Sequence, residues 1–110
     1  MNETIAVVVT PDGALIGGGL GRASHMAVAQ RDEHNSITSW QVFEVGWDVL
    51  HDVGPHGGHH ARIVRFMQEH GITHVMAAHI GPPMQTTLSK LGLVLHLDAS
   101  GDARAAVLAR

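Results

Sequence analysis

Ile5-Ala6-Val7-Val8-Val9 is an unbroken apolar run, mostly β-branched. A strand covered on both faces loses the polar alternation of a half-buried one and reads as such a run. The stretch therefore predicts a central strand of a sheet with layers on both sides. Pro11-Asp12-Gly13 ends it, and a loop with Gly17-Gly18-Gly19 and Gly21 follows. Met26 to Gln30 reads as a short strand, Asp32 to Ser36 as a polar turn and Ile37 to Val45 as a second strand. Two such runs around a polar turn predict a hairpin, and Ser39, Gln41 and Glu44 within the second run suit an exposed edge.

Beyond the hairpin the period changes. Gly46 to Gly58 reads as loop, with room for one turn over Trp47 to His51. Ala61 to His70 predicts a helix with Ile63, Val64 and Met67 on its buried stripe, Phe66 beside them, and Arg62, Arg65, Gln68 and Glu69 toward water. Gly71 is placed to end it. His74 to Ile80 is a further apolar strand. Pro82-Pro83 opens a second helix, since proline is tolerated in a first turn. Met84, Leu88 and Leu91 form its core face, and Gly92 stops it. Leu93 to Leu97 is the last strand, and Ser100 or Asp102 caps a final helix over Ala103 to Ala109. The order is βββαβαβα. A strand–helix–strand unit is a right-handed parallel crossover. The expected fold is α/β: a single mixed sheet of order 3-2-1-4-5, with Ile5–Val9 in the centre and helices on its faces.

The chain has 110 residues, the size of one domain, with a formal net charge of −3. Only seven Lys and Arg are present, against ten Asp and Glu, which gives no electrostatic footprint for nucleic acid. The aromatic set of two Trp, two Phe and no Tyr offers no stacking surface for bases. There is no cysteine, which removes disulfides, thiolate zinc sites and cysteine-held iron–sulfur clusters. The start lacks the basic residues of a signal peptide and no apolar run suits a membrane span. A cytoplasmic protein without a membrane partner, monomeric or weakly dimeric, is the expectation.

Chemistry concentrates in histidine. His51, His56, His59 and His60 crowd one stretch, whose densest part is Gly54-Pro55-His56-Gly57-Gly58-His59-His60. Neutral imidazole is the commonest protein ligand for borderline transition metals. A helix of ten residues spans about 15 Å, close to the length of a strand. The start of helix Ala61–His70 then lies near the end of strand His74–Ile80, which carries His79. If Ile5–Val9 runs parallel to that strand, its exit loop and His25 reach the same edge. Three segments then converge: Gly17–His25, His51–His60 and His79–Met84. Ligands of open α/β sheets bind at that edge. The candidate metal ligands are His56, His59, His60 and His79, for zinc, iron, nickel or copper. Arg22, His25 and Gly81 are candidate cofactor-binding residues, with Arg22 holding an anion and the helix from Gly81 adding its positive dipole. A solvated loop with no metal is the alternative for the histidine stretch, and with it a plain interaction domain.

The remaining histidines have structural readings: His34 solvated in a turn, His70 at a helix end, His74 at the far edge, and His96 hydrogen-bonded in a strand. Gly17, Gly19 and Arg22 miss the dinucleotide-binding spacing, and a strand follows them. Asp12, Asp48 and Asp52 form no required carboxylate spacing, and Ser24-His25 is no triad. A metal-dependent hydrolase or other enzyme at the histidine edge would have Glu44, Asp48 or Asp52 as its acid or base.

Gly21-Arg22-Ala23-Ser24-His25, the histidine stretch before Ala61-Arg62, Glu69-His70-Gly71-Ile72, Ile80-Gly81-Pro82-Pro83-Met84 and Ala99-Ser100-Gly101-Asp102-Ala103 together resemble the dinitrogenase iron–molybdenum cofactor-binding family. These are the NifX-type and NafY-type domains, also found at the C-terminus of NifB-type proteins. The resemblance spans nearly the whole chain. It implies a ribonuclease-H-like fold, a five-stranded mixed sheet whose second strand is antiparallel to the rest. It also implies a carrier for an iron–molybdenum cofactor or related metal–sulfur cluster, working with a cofactor-assembly protein. Carried over by position, Arg22, His25, the His56–His60 stretch and His79 would face the cluster. Many relatives carry a cysteine near the histidine stretch or on the strand ending at His79. Its absence here points away from thiolate ligation and toward a simple divalent ion.

Overall fold

The computed structural model describes residues 2–54 and 57–109. Strand β1 (Glu3–Val9) is followed by a 3-10 turn (Leu20–Arg22), β2 (His25–Arg31), β3 (Ile37–Glu44), the one-turn helix α1 (Trp47–Leu50), α2 (Gly58–Glu69), β4 (His74–Met76), α3 (Pro82–Lys90), β5 (Val94–His96) and α4 (Ala103–Leu108). The five strands form one sheet in the order β3-β2-β1-β4-β5. β2 pairs antiparallel with both β1 and β3, whereas β4 pairs parallel with β1 and β5. β1 is central, as its apolar run requires.

The two faces of β1 enter two cores. Ala6 and Val8 point into a core with Leu20, Met26, Trp47, Ile63, Met67, Val75, Ile80, Met84 and Leu88, covered by α1, α2 and α3. Ile5, Val7 and Val9 point into a smaller core with Ala27, Met76, Ala99, Ala103 and Val107, covered by α4. Period-two alternation with both faces apolar is the physical reason the run is continuous. Asp102 caps α4, its carboxylate accepting from the Ala105 amide at 2.9 Å. No helix among the described residues is long and apolar enough to cross a membrane.

Several expected boundaries are corrected. α2 begins at Gly58 rather than Ala61, so His59 and His60 lie in its first turn and not on a loop. Its N-cap is Gly57 in the left-handed region (φ 85), with no side-chain cap, a start that sequence signals for capping do not mark. β4 stops at Met76 rather than Ile80. Beyond it the chain leaves the β1 ladder: the Ala78 amide donates to Gly18 and the Leu20 amide to the His79 carbonyl. β5 is likewise shorter than Leu93–Leu97. Leu91, expected on the core face of α3, is 45% exposed, because the helix has ended one residue before it.

Candidate functional site

The C-terminal edge of the parallel strands is built from three segments held together by hydrogen bonds. The glycine-rich loop lies against the stretch after β4 through a parallel bridge between Gly19 and His79 and the Leu20 N–H to His79 carbonyl bond of 2.9 Å. The start of α2 meets the loop where His59 Nε2 stands 2.7 Å from the Gly21 carbonyl. It meets α3 where His60 Nε2 stands 2.8 Å from Thr87 Oγ1. α1 joins from below: the Trp47 amide donates to the Ala23 carbonyl, and those of Val45 and Gly46 to that of Ser24.

Around His59 the contacts are dense. Arg62 donates from one guanidinium nitrogen to His59 Nδ1 at 2.8 Å and to the Leu50 carbonyl at 3.2 Å. The buried Trp47 ring meets His59 edge-on at 6.4 Å, and His51 lies 6.5 Å from it on another side. His51 itself contacts the Asp52 carboxylate at 3.1 Å. His25 is half-buried, its Nδ1 2.9 Å from Ser24 Oγ. His79 and Arg22 are exposed. His56 lies outside the described residues. Among the described residues, no three His, Asp or Glu side chains are grouped to hold a metal ion.

The glycines of this edge fall into two kinds. A Cβ on Gly17 would stand 2.6 Å from the Val9 backbone, so packing demands glycine there. A Cβ on Gly21 or Gly81 would meet nothing within 4 Å. Gly81 has φ −60 and ψ 146, open to any residue. Neither fold geometry nor packing requires glycine at those two positions.

Residues 3–110 match the family described as dinitrogenase iron-molybdenum cofactor. The chain belongs to that family. Its fold is also that of solved structures with low identity. The crystal structure of PH0822 superposes with a TM-score of 0.76 at 16% identity, over 96% of this chain and 87% of that one. A protein of Methanocaldococcus jannaschii described as a candidate dinitrogenase gives 0.67 at 15% identity, over 98% and 86%. At such identities the likeness concerns the fold alone. No curated protein matches the chain.

Within this member of the iron-molybdenum cofactor family, imidazole, guanidinium and open glycine backbone line the edge. Of the nearby carboxylates, Asp48 accepts from its neighbour's amide at 3.1 Å, Asp52 faces His51 and Glu44 is exposed. Arg62, Trp47 and Thr87 were not legible as site residues. Arg62 was expected to face water, yet its head is folded back onto His59. A helix start at Gly58 would have revealed the pairing, because residues three apart share a helix face.

The other histidines lie in the elements expected. His34 is solvated, 80% exposed and 3.8 Å from Glu33. His70 packs its ring between Phe43 and Phe66, at 4.7 and 4.4 Å. His74 and His96 stack in parallel at 5.6 Å on the α4 face, and His74 Nε2 is 3.1 Å from Glu3. Glu3 in turn pairs with the buried Arg31, which also donates to the Val107 carbonyl. The Arg31 hydrogen bond, with help from the His74 charge, holds the Glu3 carboxyl below its usual range against the opposing effect of burial.

Proposed function

We propose that this chain is a non-catalytic carrier whose cargo is an iron–molybdenum-type metal–sulfur cofactor, or a transition-metal ion derived from the same chemistry. The cargo would sit at the edge formed by the glycine-rich loop, the start of α2 and the turn into α3. His25, His56, His60 and His79 are the nitrogen donors in this reading, with Arg22 as countercharge. A cofactor-assembly protein would deliver or receive the cargo. The ribonuclease-H-like class implied by the sequence agrees with the strand order and directions.

One observation carries the reading. Gly21 and Gly81 flank the imidazoles with open space at their α-carbons and no conformational need for glycine. Backbone left bare on an exposed edge suits close approach of a bulky ligand. Family membership supplies the chemical class of that ligand.

The test is anaerobic titration with isolated iron–molybdenum cofactor, followed by its optical and electron paramagnetic resonance spectra. Saturable, stoichiometric binding is expected in the parent. Gly81→Ala and Gly21→Ala should leave thermal unfolding unchanged and weaken binding. Parent protein that leaves the cofactor spectrum unaltered would remove the carrier reading.

A further inference from the structure

We infer that Arg62 is a positioning residue that makes His59 a hydrogen-bond donor to the cargo rather than a metal ligand. The inference rests on the carrier reading for the identity of the cargo, but its first step concerns the protein alone. A guanidinium only donates, so His59 Nδ1, 2.8 Å from Arg62, must offer its lone pair. A carbonyl only accepts, so Nε2, 2.7 Å from the Gly21 oxygen, must carry the ring hydrogen. Both roles are fixed by partners that have no alternative. The Leu50 carbonyl steadies the same guanidinium nitrogen at 3.2 Å, and the edge-on Trp47 ring limits rotation of the imidazole.

A metal needs a ring nitrogen with a free lone pair. Ligation through Nε2 would move the hydrogen to Nδ1, against the Arg62 N–H. Ligation through Nδ1 would place a cation where the guanidinium stands. In either case Arg62 must leave its seat and two positive charges come together. An anionic acceptor meets no such obstacle. A sulfide, oxo or carboxylate group can replace the Gly21 carbonyl at the Nε2–H, and the guanidinium behind the ring then strengthens the bond. His60 differs: the Thr87 hydroxyl donates to the Pro83 carbonyl, so it accepts from His60 Nε2–H and leaves the lone pair of His60 on Nδ1. Adjacent histidines thus take different roles, His59 as donor and His60 as candidate ligand.

The experiment uses the full chain with three variants, Arg62→Ala, Arg62→Gln and Arg62→Lys. Nitrogen-15 spectra of the histidine rings in the metal-free protein should show His59 as the Nε2–H tautomer. Arg62→Ala should give a tautomer mixture. Arg62→Lys, which can only donate, should restore the single form, and Arg62→Gln, whose amide can also accept, should restore it only in part. Calorimetry with zinc ion alone and with tetrathiomolybdate alone separates the two roles. Arg62→Ala should bind zinc as tightly as the parent or several-fold tighter, while tetrathiomolybdate weakens about tenfold, the loss expected for one charge-assisted hydrogen bond. Arg62→Lys should recover most of the anion binding. A parent His59 in the Nδ1–H form, or equal losses for zinc and tetrathiomolybdate in Arg62→Ala, would overturn the inference. A parent that binds neither probe would count against the carrier reading, and the tautomer spectra alone would then decide the role of Arg62.

Discussion

The two ends of the parallel strands both carry histidine, and they differ in what holds it. From the N-terminal end, one side chain from each of four adjacent strands forms a chain across the α4 face: Arg31 on β2, Glu3 at the start of β1, His74 at the start of β4 and His96 at the end of β5. Strand register supplies one of these pairs directly, Glu3 facing Arg31 across β1 and β2, while His74, in register with Ile5 and Val94, reaches Glu3 and His96 diagonally. At the C-terminal end only His25, the first residue of β2, belongs to a strand among the described histidines. His59 and His60 sit in the first turn of a helix, and His79 lies beyond the end of β4. Their partners are loop carbonyls, a threonine and an arginine. Polar side chains pair with one another across strands at one end, while at the other they pair with irregular segments and neighbouring helices.

The largest expected effect separates the glycines of the C-terminal end. Gly17→Ala should lower unfolding free energy by about 3 kcal/mol, because its methyl group would press on the Val9 backbone rather than on a flexible side chain. Gly21→Ala and Gly81→Ala should change it by less than about 0.5 kcal/mol. Chemical denaturation of the three variants checks this. Equal losses at all three would make the whole loop structural and erase the contrast.

Next in size is the N-terminal chain. Glu3→Gln removes the carboxylate facing a buried Arg31 and should cost about 2 kcal/mol at neutral pH, below the range for fully buried pairs because Glu3 is partly exposed. The same residue sets a pH dependence. Its folded-state pKa is lowered, so the stability it contributes is present above the ordinary glutamate value of about 4.3 and is lost as pH falls through the folded value. Unfolding free energy measured by denaturant at a series of acidic pH values should therefore drop in the parent and drop less steeply in Glu3→Gln. Parallel curves would detach Glu3 from the chain.

The smallest effect belongs to the replaceable contacts. His59→Ala should cost only about 1 kcal/mol, the net worth of an exposed hydrogen bond, and His34→Ala nothing measurable. Denaturation with matched controls distinguishes the two. A loss at His59 as large as that of Glu3→Gln would mean that the C-terminal end is held as firmly as the other.

Much of the fold was legible because it rests on local pattern. The Ile5–Val9 run gave the central strand, the polar turn after Gln30 gave the hairpin, and Gly71 and Asp102 marked one helix end and one helix start. Legibility failed where a segment's partner is another irregular segment. Ala77 to Ile80 is as apolar as a strand, but its amide and carbonyl groups bond to the glycine-rich loop and to β5, so no ladder with β1 continues. The helix start at Gly58 was hidden because Gly-Gly-His-His carries no capping side chain. Leu91 kept helical spacing, yet the helix stops before it and leaves it exposed.

By itself the sequence determined the sheet order, the parallel crossover, the lack of cysteine and the family, since these follow from hydrophobic period, composition and motifs spread along the chain. Only the tertiary structure decided which partners each histidine has, and that Arg62 and the Gly21 carbonyl meet the two ring nitrogens of His59. Hydrogen-bond roles depend on which donor and acceptor meet across 38 positions of chain, a relation that neighbouring residues do not encode.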